Sequence, residues 1–364
     1  INVPDPAFAS GTSLWLEYGW DVDNVRVSPD DFGLPLGPMV PSSGLTAPLT
    51  EKLNLSHSYS GEGKIIFQPG SSDWLLSASV RYGRAVGASR TRQALSPIPT
   101  TSFATYEFTY PYFPQSNKAR TKPVHVSREK LGGDTSNAES HLLVDFEAGK
   151  DIGIGLFGPD GKSVFGAGVR FAHFTMSRTA TDFRQTQGIH FESSTFRTYT
   201  WPGYGARRRE LWDVVSANGS MSQDFIGAGP SITWDASAEI WGNSQTTGLS
   251  LDWGANAAVL FGKQRKTVRH QSSIAGYCYG SQCPPAGVPL TSNGHNSTTK
   301  SIIVPNVGGF AGATLRYSDI KLSFGYRADL FVGAMDSGLA THKSSNLLLH
   351  GPFASVSVGF GGGP

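Results

Sequence analysis

A period of two runs through most of this chain, and no other feature leaves so few folds open. In Gly248–Phe261, GLSLDWGANAAVLF, alternate positions carry Leu249, Leu251, Trp253, Ala255, Ala257, Val259 and Phe261. The intervening positions carry Ser250, Asp252, Gly254, Asn256 and Ala258. Successive side chains of a β-strand point to opposite faces, so this run makes one strand with an apolar side and a polar side. The pattern recurs. Phe225–Trp241 sets Ile226, Ala228, Ile232, Trp234, Ala236, Ala238 and Ile240 against Ser231, Asp235 and Glu239. Ile320–Ala334 sets Ile320, Leu322, Phe324, Tyr326, Ala328, Leu330 and Val332 against Lys321, Ser323, Arg327 and Asp329. Trp74–Tyr82 alternates Trp74, Leu76, Ala78, Val80 and Tyr82 with Ser77, Ser79 and Arg81. Each run reaches the roughly 9–11 residues with which a tilted strand crosses a bilayer.

Carried along the chain, the rule predicts ten strands near 13–22, 54–68, 73–87, 141–157, 162–178, 222–241, 248–268, 301–317, 320–335 and 350–360. Tight turns at Pro69–Asp73, Gly158–Gly161, Gly242–Thr247 and Ser318–Asp319 contain the Gly, Pro, Asp, Asn and Ser residues that turns favour. They alternate with long connections at about 23–53, 88–140, 179–221, 269–300 and 336–349. Short turns at one rim and long loops at the other mark barrels of the bacterial outer membrane, with the turns periplasmic. Both ends of the chain fall on the short-turn side, which requires an even strand count. The predicted fold is therefore all-β: a transmembrane antiparallel up-and-down β-barrel of ten strands, one domain over 1–364, with both termini periplasmic. Twelve strands result if His190–Trp201 and Glu210–Ser216, which alternate weakly, enter the wall; the preferred reading makes them a hairpin above the membrane. Lys150 falls among Leu142, Val144, Phe146, Ile152 and Ile154 on the apolar side. A lysine at the bilayer midplane costs about 2–4 kcal/mol, so a bulge at Gly149 or a place near the rim is expected.

Composition closes off the alternatives. No stretch approaches the ~18 consecutive apolar residues of a spanning helix, and a closed barrel is the other architecture that satisfies its backbone in hydrocarbon. Charged residues are 16% of the chain and the formal charge is +2. With no basic helix and no zinc-finger spacing, nucleic acid is not an expected partner. The chain opens on Ile1 without a visible signal peptide, as mature numbering after export or a trimmed chain would give. Cys278 and Cys283 are the only cysteines and lie in one Gly/Pro/Ser-rich stretch, so a local disulfide is expected rather than a metal site.

FIGAGPSITWDAS (Phe225–Ser237) and LSLDWGANAAVLFG (Leu249–Gly262) resemble paired strands of the Legionella-type pore-forming outer-membrane proteins. GEGKIIFQPGSSDWLLSASVRYGRA (Gly61–Ala85) and VPNVGGFAGATLRY (Val304–Tyr317) are similar to uncharacterised outer-membrane proteins of other proteobacteria. The last predicted strand, GPFASVSVGF (Gly351–Phe360), resembles the carboxy-terminal signal read by the outer-membrane insertion machinery, although GGGP follows it. The resemblance covers wall strands and not loops. It implies an outer-membrane location and pore formation, and it carries over no catalytic or binding residue.

Alternation turns a set of charges inward: Glu17, Glu62, Lys64, Arg81, Asp145, Glu147, Arg170, Asp235, Glu239, Asp252, Arg316, Lys321, Arg327 and Asp329. Both signs are present, which suits either ion pairs that fill a narrow barrel or the lining of a polar channel. Ten strands lie near the filled end of the size range, although inward Gly and Ser residues leave space. Two functions follow: a narrow channel for small polar solutes or ions, and a non-conducting surface protein whose loops bind a partner. In the loop near 88–140, Tyr106, Phe108, Tyr110, Tyr112 and Phe113 form an aromatic run that can pack on other loops, constrict the lumen or present a sticky platform. Arg207, Arg208 and Arg209 form either a solvated hairpin tip or a clamp on lipopolysaccharide phosphates. Outer-membrane lipids, lipopolysaccharide, a second copy or another surface protein are the partners to expect. Ten-stranded outer-membrane proteases carry Asp and His at the extracellular rim, where this chain has Asp224, His270, Asp336 and His342. No lipase pattern and no metal-ligand spacing accompanies them, and Asp21–Gly33 lacks the spacing of a calcium loop. Neither catalysis, a cofactor nor a bound metal is expected.

Overall fold

The alternating runs pair edge to edge until the last meets the first. The computed structural model describes residues 13–28, 31–34, 49–52, 57–70, 72–91, 102–105, 121–131, 133–152, 162–191, 209–243, 247–279, 290–337 and 342–360. Their strands are β1 (Ser13–Ser28), β2 (Asp31–Leu34), β3 (Leu49–Lys52), β4 (Ser58–Gln68), β5 (Trp74–Thr91), β6 (Ser102–Thr105) and β7 (Thr121–Leu131). Then follow β8 (Gly133–Asp151), β9 (Lys162–Phe191), β10 (Arg209–Asn243), β11 (Thr247–Tyr279), β12 (Leu290–Tyr317), β13 (Ile320–Asp336) and β14 (Ser344–Phe360). β1, β4, β5 and β8 to β14 form an antiparallel up-and-down wall in chain order, and β1 pairs with β14 to close it. The wall therefore has ten strands. β2 and β3 make a separate ribbon, while β6 pairs with β7, and β7 with the far end of β9.

Register fixes the girth. Directly paired residues lead from Trp15 to Ile66, Ser77, Glu147, Gly168, Ser231, Ala258, Asn306, Phe331 and Leu347. Leu347 pairs with Val27, so one circuit returns to β1 twelve residues beyond Trp15. Ten strands spaced ~4.8 Å apart with this stagger tilt about 40° and enclose a backbone radius of roughly 10 Å.

All ten predicted strands are present, and several run farther at the long-loop rim than alternation indicates. β8 begins at Gly133, β9 continues to Phe191, β10 begins at Arg209, and β11 and β12 reach Tyr279 and Leu290. The intervals assigned to loops are shorter by those lengths. Backbone pairing continues above the hydrocarbon, where no apolar side is required and the period-two signal fades. His190 pairs with Glu210 in this extension, so the expected hairpin is the upper part of β9 and β10 and adds no wall strand.

The outer face is apolar. Leu16, Ile65, Phe146, Val169, Phe171, Ile232, Leu251, Val259, Ile303 and Phe324 all lie exposed on it, matching the hydrocarbon band of a bilayer. Trp74, Trp241, Tyr317 and Phe360 edge this belt near the short turns, and Trp20, Tyr59 and Tyr82 lie toward the other rim. Lys150 stands opposite Trp74 and Phe165 in unbroken register and pairs with Asp73 at 3.6 Å. It occupies the rim, without a bulge at Gly149. Ser318, at φ 52°, turns β12 into β13, and Gly242, at φ 97°, begins the turn into β11.

Candidate functional site in the barrel lumen

A wall of this radius lets long side chains from facing strands meet near the axis, and they do so in three storeys. Nearest the short turns, Lys64, Asp235, Asp252, Arg316 and Lys321 are buried, with Glu17 and Glu147 half-buried beside them. Thr314 donates a hydroxyl hydrogen bond to Asp252, and its Oγ1 lies 2.8 Å from that of Ser323. Lys321 Nζ sits 4.1 Å from the centroid of the Trp15 ring, and the Arg316 guanidinium 5.8 Å from it.

The middle storey is a hydrogen-bonded network that crosses the lumen. Arg170 of β9 grips Asp145 of β8 with two nitrogens, at 2.7 and 3.1 Å. It also donates to Asn256 at 2.9 Å and to Asn306. Asn256 reaches Asp329 at 3.5 Å, and Asp329 pairs with Arg81 of β5 at 2.9 Å. Arg327 of β13 donates to Glu62 of β4 at 2.5 Å, lies 3.9 Å from Asp21, and rests over the Phe353 ring. Apart from Arg170–Asp145, which joins the paired strands β9 and β8, these contacts tie strands that are not neighbours in the wall. Buried charges held this way are costly to separate, because each would be left in low dielectric without its partner.

Above the network an apolar cluster fills part of the lumen, beside the buried His141, which stands opposite Phe174 in the β8–β9 pairing and meets Glu139 at 3.1 Å and Asp23 at 3.6 Å. Phe174 stacks on Phe225 with centroids 5.8 Å apart and meets the Phe331 ring edge-on at 4.6 Å. Leu260, Val304, Met176, Met335, Leu347 and Leu349 fill the space around them, each at most 1% exposed. The sequence reading treated the inward rows as polar and missed this layer. The signal was there: Phe174 shares its side of β9 with Arg170, Phe225 shares that of Ser231, and Phe331 that of Asp329.

A bent strand end covers the layer. At Gly333, φ is 73°, and the register of β13 against β14 slips between Phe331 and Met335. Ala334, Met335, Asp336 and Ser337 are consequently buried. The far wall holds them. Gln223 of β10 donates to the Asp336 carbonyl and accepts its N–H at 3.1 Å, while Gln264 of β11 donates to the Ala334 carbonyl at 2.9 Å. The Asp336 carboxylate takes Lys266 at 3.6 Å, His342 Nδ1 at 3.0 Å and the Lys343 N–H at 2.9 Å. Burial pushes the Lys266 ammonium below its ordinary pKa, against the pull of Asp336.

Among the predicted inward charges, Glu239 stands apart. It lies at the short-turn rim, paired with Ser250 just before a register shift at Trp241, and is exposed. Of the rim residues Asp224, His270, Asp336 and His342, Asp336 and His342 meet at 3.0 Å, but Asp224 does not join them. Asp224 binds His173 at 2.6 Å on the outer face, whereas Asp336 pairs inward. Among the described residues no group of three or more His, Cys, Asp or Glu is placed to hold a metal ion. Tyr106, Phe108, Tyr110, Tyr112, Phe113, Arg207, Arg208 and Cys283 lie outside the described residues; Arg209 and Cys278 are described only as backbone in β10 and β11. The expected disulfide and the arginine triplet lie outside them accordingly.

No family model matches the chain, and no curated protein matches it. Among solved structures, the chain is similar to the transport unit of the autotransporter AIDA-I from Escherichia coli, at 7% identity and a TM-score of 0.22 over 96% of this chain and 90% of that one. It is similar also to the P. putida toluene transporter TodX, at 10% identity and a TM-score of 0.19 over 97% and 91%. At such scores the likeness carries no argument about activity, and the reading of the lumen rests on this chain's own geometry.

Proposed function

We propose that this chain is an integral barrel of the bacterial outer membrane, with its short turns in the periplasm, and that its lumen is a gated path for small ions or polar solutes. The apolar layer of Phe174, Phe225 and Phe331 between the charged middle storey and the bent β13 end carries this reading. A hydrophobic constriction in an otherwise polar passage shuts it by excluding water, because a hydrated ion cannot keep its shell there. The ion pairs below supply fixed charge of both signs, and the strand end above is held by side-chain bonds that can be released. The same layer favours a second reading, a permanently filled barrel whose loops engage a partner at the cell surface.

Conductance in planar bilayers separates the two. The gated reading expects wild type to be shut for most of the recording, with brief voltage-dependent openings. Replacing Phe174 and Phe331 together by Ser should make conductance steady, by wetting the constriction. Silence from both wild type and the double variant, in protein that remains folded, would leave the filled-barrel reading.

A further inference from the structure

The outward row of β11 changes character within two residues. Ala255, Ala257, Val259 and Phe261 face lipid; Lys263, Arg265, Thr267 and Arg269 continue the same row toward the long loops. Lys263, Arg265 and Arg269 are exposed, and no acid pairs with any of them among the described residues. On β12, Ser301 stands opposite Lys263, Thr299 opposite Arg265, Ser297 opposite Thr267 and His295 opposite Arg269. On the other side, β10 places Asp224 opposite Arg265, but that carboxylate is bound by His173 at 2.6 Å and by Thr175 at 3.3 Å. The opposite boundary of the belt differs, since Lys150 there is paired with Asp73. Among the described residues, positive charge without an acidic partner is thus gathered on this outward row beside the long loops.

We infer that Lys263 and Arg265, with Thr299 and Ser301, form a binding site for a phosphate of a phosphorylated glycolipid headgroup, the lipopolysaccharide phosphate, in the leaflet beside the long loops. The spacing fits. Side chains two apart on a strand stand about 7 Å from each other and cross-strand partners about 5 Å, so an ammonium, a guanidinium and two hydroxyls surround a space the size of one phosphate. The guanidinium supplies forked donors that match phosphate oxygens, and Arg269, farther up the row, adds charge at the next level. Phe261 and Val259 directly below offer the acyl chains an apolar surface continuous with the site. The choice of glycolipid over an ordinary phospholipid rests on the outer-membrane location proposed above; the cationic site itself does not.

The test uses purified full-length protein in zwitterionic detergent, with retained lipid counted by native mass spectrometry. The probes are bis-phosphorylated lipid A, fully dephosphorylated lipid A and phosphatidylglycerol. Wild type should retain the bis-phosphorylated form and lose the dephosphorylated one. K263Q/R265Q should bind the bis-phosphorylated form roughly 30-fold more weakly, on the scale of two interfacial cations, with an unchanged unfolding temperature in lipid-free detergent. K150Q, at the other boundary, should bind like wild type. Equal retention by K263Q/R265Q and wild type, or retention of dephosphorylated lipid A, would overturn the site. Equal preference for phosphatidylglycerol would overturn the glycolipid assignment. Failure of the outer-membrane reading shows separately, as recovery of the protein in another fraction of disrupted cells.

Discussion

Arg81 and Asp329 face each other at 2.9 Å with almost no solvent, whereas Lys150 and Asp73 meet at 3.6 Å in the open. The two pairs should therefore respond differently to loss of one partner. Asp329→Ala strands the Arg81 charge, together with the amide of Asn256, inside the barrel, and should cost about 3–5 kcal/mol in urea unfolding from lipid vesicles. Asp73→Ala should cost at most about 1 kcal/mol, since exposed pairs are screened by water. An Arg81→Met/Asp329→Leu double variant should recover most of the loss; if it is no more stable than Asp329→Ala, repacking rather than stranded charge explains the deficit. At this scale the sequence is partly readable. Position parity turns Arg81, Arg170 and Asp329 inward, but their partners depend on the register of strands far apart in the chain, which parity does not contain. Glu239 shows the other limit: it has inward parity but lies exposed at the rim, beside the register shift at Trp241.

The end of β13 is the element whose behaviour is least like that of a wall strand. Its bend depends on Gly333 at φ 73°, a conformation an added Cβ opposes, and that Cβ would also stand 2.9 Å from Ser344 Oγ. Gly333→Ala should loosen the cover over the Phe174 layer, and Gln223→Ala with Gln264→Ala should release it from the far wall. Hydrogen exchange reads both: amides of Ala334–Asp336 should exchange at least about tenfold faster, while those of β5 and β8 stay unchanged. Unchanged exchange at Ala334–Asp336 would mean that packing against Phe331 and Leu347, not these bonds, holds the cover. The ten wall strands were legible because hydrocarbon enforces an apolar residue at every second position. Where β9 and β10 rise past the bilayer that pressure ends, and so does the signal, although pairing continues from Met221 to Arg209. The apolar storey was lost for a related reason. The inward rows pass from Arg170 to Phe174 and from Asp329 to Phe331 within a few residues, a change of character that position parity alone does not mark.

For the whole molecule, orientation is the proposal most open to test. With the short turns periplasmic, protease added to intact cells should cut within 92–120 or 280–289 and spare Ser318–Asp319 and Pro69–Asp73. Cleavage at those turns from outside would place the barrel the other way up. The seam between β1 and β14, paired from Leu14 opposite Phe360 to Ser28 opposite Asn346, has a consequence in time. The first wall strand to leave the ribosome finds its second neighbour only when the last one has been made and delivered. Until then both margins of the growing sheet remain unfinished, and in hydrocarbon each unpaired amide and carbonyl there is expensive. In the membrane location proposed above, the chain's two ends must consequently come together before either can settle.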